Sequence, residues 1–381
     1  MSKRLVIDAF KLVKGKGKSI GIYNLTHSLV EYLGAENCAR GMENEIIVLG
    51  NDYNRSDFEV PGVQFHRCSG DPLDRKTYTL WELFGVTKVL KDLDPDRVLF
   101  PRGYRPLVYH GKDTILIHDL IPLWYREHHP DWVSKPENFY ITNRLLASIK
   151  GADRVITISD YSRDDIERRV PGSKKKTVRI YNGLNDVVLP EDTAVHDPAL
   201  QEGYIAAVTS SLPHKNAAGI LKSYGIYYER AKKEGVTPLS LLVIGIDDLA
   251  PYREQAGLSF EAASHVILKG FVKEHSELCV LIKNAKIFLF LSYIEGFGFP
   301  PLEAMQLDTP VVSSDRTSLK EVIGDAGLLV DPDNCPDVAD KLLYLQTHEK
   351  LCAELVQKGE KNITRFGWDS RVPLYWNELF R

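Results

Sequence analysis

Short, mainly apolar runs recur along the chain, separated by longer stretches in which apolar residues return every three or four positions. The runs at 4–10, 45–49, 98–101, 114–118, 155–158 and 177–180 predict strands, as do those at 204–208, 239–245, 265–268 and 287–291. A run without polar alternation fits a strand buried on both faces. Between 20 and 33 the apolar residues Ile22, Leu25, Leu29, Tyr32 and Leu33 fall on one side of a predicted helix, and further helices are expected from about Ala217, Glu274, Pro300 and Pro336. Strand and helix alternate throughout, so the expected class is α/β with parallel sheets covered on both faces.

The pattern fades between 186 and 201, where the chain is acidic, proline-bearing and without apolar period. This predicts a linker between a domain at 1–185 and a second at 202–361, followed by a tail at 362–381 that carries Phe366, Trp368, Leu374, Tyr375 and Trp376. A length of 381 residues suits two cores. Hydrophobic content of 44% with 26% charged residues describes a soluble globular protein, and a net charge of −4 argues against general nucleic-acid binding. Five cysteines without a Cys-x-x-Cys pair suggest neither a zinc site nor a disulfide framework, so a reduced, cytoplasmic setting is expected. The first residues begin a strand, and no apolar segment is long enough for a signal peptide or a membrane span. Membrane contact is therefore expected to be peripheral.

Candidate chemistry centres on Phe288-Leu-Phe-Leu-Ser-Tyr-Ile-Glu-Gly-Phe-Gly-Phe-Pro-Pro-Leu-Glu-Ala-Met305. A buried strand, a glycine loop and a helix start follow one another here, an arrangement that turns backbone N–H groups and a helix dipole toward an anion. Glu295 is expected to end the strand and Glu303 to lie in the first helical turn, so both carboxylates can reach the crevice at a parallel sheet's carboxyl edge. They can accept hydroxyl hydrogen bonds there; equally, Glu303 can complement the dipole and Glu295 can be a solvated loop residue. His118 and Asp119 arrive at a strand end in Ile115-Leu-Ile-His-Asp-Leu-Ile-Pro-Leu-Trp124, where a histidine is either structural or a ligand contact. Lys215 and Asn216 follow the 204–208 strand at a helix start, placing a cation beside a phosphate or simply on the surface. Ser159, Asp160 and Ser162 can cap a helix. The basic loop 11–19 ends in Gly17-Lys18-Ser19, but Leu12 stands where a phosphate loop needs its first glycine, which excludes that reading. No repeat or low-complexity segment is present.

Glu295-Gly-Phe-Gly-Phe-Pro-Pro-Leu-Glu303 resembles the Glu-x7-Glu motif of the retaining GT-B glycosyltransferases of family 4, and the likeness continues through Pro310-Val-Val-Ser-Ser314 and Glu321-Val-Ile-Gly-Asp-Ala-Gly327. The resemblance implies two Rossmann-like domains facing across a cleft, with a C-terminal helix crossing back to the N-terminal domain. By the same resemblance Glu295 approaches the donor sugar, Gly296, Phe297, Gly298 and Phe299 approach sugar and phosphate, and Glu303 holds the ribose. His118-Asp-Leu-Ile-Pro-Leu123 resembles the segment by which mannosyl- and rhamnosyltransferase-like members touch the donor sugar. Lys215 and Asn216 match the diphosphate contact, with Thr209 and His214 where many members have an arginine nearby. Gly270, Phe271 and Val272 match the loop that holds the base. Ser19-Ile-Gly-Ile-Tyr23 is similar to the first glycine loop, with Gly21 and Tyr23 matching and Ser19 and Ile22 replacing a glycine and an arginine. The catalytic roles fall to His118, Lys215 and Glu295. What is implied is retaining transfer, without metal or cofactor, from a nucleotide diphosphate sugar to a hydroxyl in a surface polysaccharide or lipid-linked oligosaccharide, at the inner face of the membrane. GDP-mannose is the first donor expected, followed by UDP- or dTDP-linked sugars. A nucleotide-sugar 2-epimerase of the same fold and a non-catalytic nucleotide-sugar binder are the alternatives.

Overall fold

Within each of two sheets the apolar runs lie side by side and point the same way. A computed structural model describes residues 2–16, 20–195 and 197–381. It divides into two compact units, Met1–Asn185 with Phe366–Arg381, and Asp186–Arg365. The first unit holds β1 (Arg4–Asp8), β2 (Glu45–Gly50), β3 (Gln64–Arg67), β4 (Arg97–Phe100), β5 (Asp113–Ile117), β6 (Arg154–Thr157) and β7 (Thr177–Arg179), ordered β3-β2-β1-β4-β5-β6-β7. The second holds β8 (Tyr204–Val208), β9 (Ser240–Ile244), β10 (Val266–Lys269), β11 (Ile287–Phe290), β12 (Val311–Ser314) and β13 (Leu328–Val330), ordered β10-β9-β8-β11-β12-β13. Every pairing is parallel. In each sheet the chain builds outward from its first strand and then crosses to the other side. The strand order therefore reverses between β1 and β4 and between β8 and β11, where helices on opposite faces part and a crevice opens at the carboxyl ends.

Burial on both faces explains the apolar runs. Ile205, Ala207, Leu241, Val243, Ile287 and Leu289 meet Ile220, Tyr224 and Leu342 in one layer. Phe288 and Phe290 point the other way and are equally buried, with ring centroids 6.3 Å apart. Burying each such side chain contributes about 1.5–3 kcal/mol relative to exposure. Val6, Ile47, Val98, Ile115 and Val155 do the same in the first unit.

Several features depart from the sequence expectation, one of them the three-residue β13, too short to show as an apolar run. β3 was not anticipated, because Gln64-Phe-His-Arg67 is a half-exposed edge strand with no apolar run. The first helix runs on from Ile20 to Ala39, its last turn held by Asn37, whose amide donates to the carbonyls of Asn44 and Gly62 at 2.9 and 3.0 Å. Tyr32 sits at the rim of that helix, stacked on Trp368 of the Trp368–Leu379 helix at 4.9 Å. Trp368 also donates its indole N–H to Asn185 at 2.7 Å, and a Cβ on Gly183 would lie 2.1 Å from its ring, so only glycine fits there. Asn362 bonds the carbonyl of Val322 at 2.9 Å, which keeps it with the second sheet. The first unit thus takes its tail from Phe366, four residues beyond the expected start at 362. Among the described residues no helix is long and apolar enough to cross a membrane.

Candidate active site

β8 and β11 are neighbours at the reversal point of the second sheet, and the loops that follow them are stitched together. Thr209 donates its hydroxyl to the Lys215 carbonyl at 2.9 Å, and the Tyr293 N–H donates to the His214 carbonyl at 2.8 Å. Asn216, at φ +54°, caps the Ala217–Lys233 helix by accepting from Gly219, while its amide reaches the carbonyls of Leu291 and Pro332 at 3.2 and 3.4 Å. The Asn216 side chain is therefore occupied in holding the two loops in place. The result is that Lys215 Nζ lies 2.6 Å from Glu295 Oε1, in an ion pair whose side chains are 25% and 13% exposed. Two residues with separate expected duties form one pair.

Glu295 does not end a strand. β11 stops at Phe290, and Glu295 lies in the following loop, held through its backbone. Its N–H donates to Thr317 Oγ1 at 3.2 Å, and Ser318 Oγ lies 2.8 Å from its carbonyl and 2.9 Å from that of Phe297. Thr317 takes φ +55°, a costly conformation for a β-branched residue and one that clusters at functional sites. Gly298 has φ +118°, and a Cβ there would meet Leu319 at 2.6 Å. Gly296 and Phe297 are buried, and the rings of Phe297 and half-buried Phe299 meet at 5.3 Å.

The helix after this loop, Phe299–Gln306, is a weaker anion site than expected. Pro300 and Pro301 have no N–H, so only the amides of Phe299 and Leu302 remain among its first four residues. Glu303 is also displaced: it is the fifth helical residue, in the second turn, where the dipole has little hold. Its carboxylate instead lies 3.0 Å from His275 Nε2. Contact with Cys279 and with Glu303 raises the His275 pKa, favouring the imidazolium. His275 stands three residues beyond the loop after β10, in which Gly270 leaves room for Asp247, Phe271 is exposed and Val272 half-buried. Glu303 is thus tied to the first residue of the His275–Lys283 helix, which follows the expected base loop.

Burial, with the Lys215 ammonium beside it, pushes the His214 pKa down to about 4, so this histidine is neutral at pH 7.

In the first unit His118 follows β5, and its Nε2 lies 2.9 Å from the carbonyl of Pro101, the residue after β4. A carbonyl only accepts, so Nε2 carries the proton. Desolvation lowers the pKa to about 4, which leaves a neutral ring with a lone pair on Nδ1. Asp119 accepts at 2.9 Å from the N–H of Ile121, the first residue of the Ile121–His128 helix. Ser159 caps the Asp160–Arg169 helix by accepting from Ser162. Beside Pro101 lies a cavity of about 10 Å³ lined by Asp8, Lys11, Trp81, Glu82 and Arg102, room for about one water. Burial lifts Asp8 to about 6. Gly21 is exposed in the first turn of the Ile20–Ala39 helix with open space around it, while Gly17, Lys18 and Ser19 lie outside the described residues.

Comparison with known proteins gives these sites their family. Residues 21–187 match the description Glycosyltransferase Family 4, and residues 190–362 match Glycosyl transferases group 1. The chain is 31% identical over 295 residues to the O-antigen chain mannosyltransferase RfbU of Salmonella typhimurium, covering 74% of this chain and 76% of that one. The chain belongs to glycosyltransferase family 4. A second relative, the O-antigen chain mannosyltransferase B of Escherichia coli, is 27% identical over 285 residues, 71% of this chain and 73% of that one. The fold is GT-B. Anabaena HepE, solved with UDP-glucose, superposes with a TM-score of 0.67 at 14% identity over 99% of both chains. Sucrose-phosphate synthase from Thermosynechococcus elongatus gives 0.65 at 19% identity over 100% of this chain and 98% of that one.

Within this family 4 glycosyltransferase, three site residues escaped the sequence reading. Thr317 and Ser318 sit between two segments that were recognised, and their contacts with the glycine loop span more than 20 positions, so nothing in the sequence marked them. Nor was His275 marked, since its contact with Glu303 spans 28 positions.

Proposed function

We propose that this glycosyltransferase transfers mannose from GDP-mannose, with retention and without a metal or other cofactor, to a hydroxyl of a surface polysaccharide or lipid-linked oligosaccharide. UDP- and dTDP-linked sugars are the competing donors. The observation that carries this reading is the Lys215–Glu295 pair, 2.6 Å apart at the reversal point of the second sheet. A cation beside a carboxylate there supports the reading, because the first can oppose charge growing on a leaving diphosphate and the second can accept sugar hydroxyls. The names of the relatives and the His118-Asp-Leu-Ile-Pro-Leu123 segment support mannose. In this proposal Glu303 accepts from the ribose hydroxyls, residues 270–272 meet the base, and Gly21 lies near the diphosphate.

Retaining glycosidases use two carboxyl groups about 5 Å apart, one of them as nucleophile. Here each of the two carboxylates has a cationic partner, Lys215 or His275, on another element. We therefore favour attack from the face the diphosphate leaves, with Glu295 positioning the sugar. Since Lys215 supplies the charge, turnover should be unchanged by EDTA; abolition by EDTA and recovery with a divalent metal would contradict the proposal. The acceptor class places the enzyme at the inner face of the membrane by peripheral contact. Incubation with GDP-mannose and with UDP- and dTDP-sugars, following nucleoside diphosphate release and the fate of the sugar, tests the reading. Release coupled to acceptor glycosylation is expected; a changed donor sugar without transfer would point to epimerisation.

His118 is proposed to accept a donor hydroxyl at Nδ1. His118→Ala should leave the Kd for the nucleoside diphosphate nearly unchanged and cut turnover with the full donor at least about tenfold. Because the folded imidazole titrates near 4, that factor should be constant from about pH 6 to about pH 8. A general acid or base at its ordinary pKa, about 6.5, would make it change there. Stability gives a separate sign. The unfolded histidine takes up its proton near 6.5 and the folded one only near 4, so stability falls as pH drops through that window, and removing His118 should flatten its share of the fall. A destabilised variant with wild-type turnover per folded molecule would leave His118 a structural residue.

A further inference from the structure

We infer that Glu295 is a counter-ion that the donor's diphosphate displaces from Lys215, and that it takes Lys215 back once the sugar has gone, so that the bare nucleoside diphosphate is held less tightly than its phosphates alone would allow. The inference rests on the proposed donor site.

One ammonium has two suitors. The Lys215 Nζ is 2.6 Å from Glu295 Oε1, and the diphosphate needs the same cation. Glu295 can change partners without disturbing the loop, because its main chain is fixed at both ends: the N–H by Thr317 Oγ1 and the carbonyl by Ser318 Oγ. Lys215 is held as firmly, its carbonyl bonded by Thr209 and its neighbours tied to the loop after β11. Only the two side chains are left to rearrange. His214 is neutral, so no second positive charge on that turn relieves the competition. With the sugar in place Glu295 has hydroxyls to accept from, and Lys215 is released to the phosphates. After transfer the hydroxyls leave with the product, and the carboxylate competes again for the ammonium. The carboxylate thereby favours intact donor over spent nucleotide and speeds release of the product.

The isosteric substitution Glu295→Gln keeps the shape and removes the competing charge. Titration of wild type and variant with GDP, UDP and dTDP, and with the matching nucleosides, should show the preferred diphosphate bound at least about fivefold more tightly by the variant, with the nucleoside unchanged. Its inhibition constant as a product should fall in parallel, although donor turnover is lower. Equal or weaker diphosphate binding by a folded variant would overturn the exchange, and so would equal tightening for nucleoside and diphosphate, because the gain would then not run through the phosphates. Donor turnover by the wild type keeps the two claims apart: a wild type that releases nucleoside diphosphate, with a variant that binds it no better, loses the exchange alone. A wild type that neither turns over nor binds any of the three diphosphates loses the donor site as well.

Discussion

Lys215→Ala is expected to lower kcat/KM with the nucleotide-sugar donor on the order of a hundredfold or more, the usual consequence of removing a group aimed at charge that develops in the transition state. Two effects combine. The departing diphosphate loses its cation, which lowers kcat, and the bound diphosphate loses its counter-charge while the Glu295 carboxylate, 13% exposed, stays beside it, which weakens donor binding. Nucleoside affinity should be nearly untouched, because a nucleoside has no phosphates. Kinetics with the donor and calorimetry with nucleoside and nucleoside diphosphate check this in one preparation. Equal losses for the two ligands would mean that the loop had come apart, and the cross-links through Asn216 and His214 argue against that.

Glu303→Ala should behave differently. A carboxylate that accepts ribose hydroxyls contributes about 1.5–3 kcal/mol, so affinity should fall about 10- to 150-fold, for the nucleoside as well as for the nucleoside diphosphate. The substitution also strands His275, whose raised pKa depends in part on Glu303. His275→Gln, which keeps a donor near the carboxylate without the charge, should retain most of the affinity, and this separates loss of the ribose contact from loss of a neighbour. An unchanged Kd in folded Glu303→Ala would leave the carboxylate as the anchor of His275 and nothing more.

What could be read from the sequence follows from the range of the interactions involved. β8 and β11 were legible because strands buried on both faces show as continuous apolar runs, and Asn216 and Pro300 mark helix starts by local chemistry. β3 was not, since an edge strand carrying Gln64, His66 and Arg67 has no such run. The Lys215–Glu295 pair joins residues 80 positions apart and depends on β8 and β11 being paired in register, Ile205 opposite Ile287. Spacing along the chain cannot reveal that. The thinning of amides at the Phe299–Gln306 helix is the reverse case: Pro300 and Pro301 announce it in the sequence, and the expectation of an anion-binding helix end gave them too little weight. The neutrality of His214 required knowing that it is buried.

The most direct test of the account is the anomeric outcome of one reaction: wild-type protein, GDP-mannose and a mannose-terminated oligosaccharide acceptor in EDTA, followed by proton NMR with parallel quantitation of GDP. The account predicts one GDP released for each new glycosidic bond, and a product with the same anomeric configuration as the donor. A product of opposite configuration, or GDP-mannose converted to another nucleotide sugar with the acceptor unchanged, would contradict it.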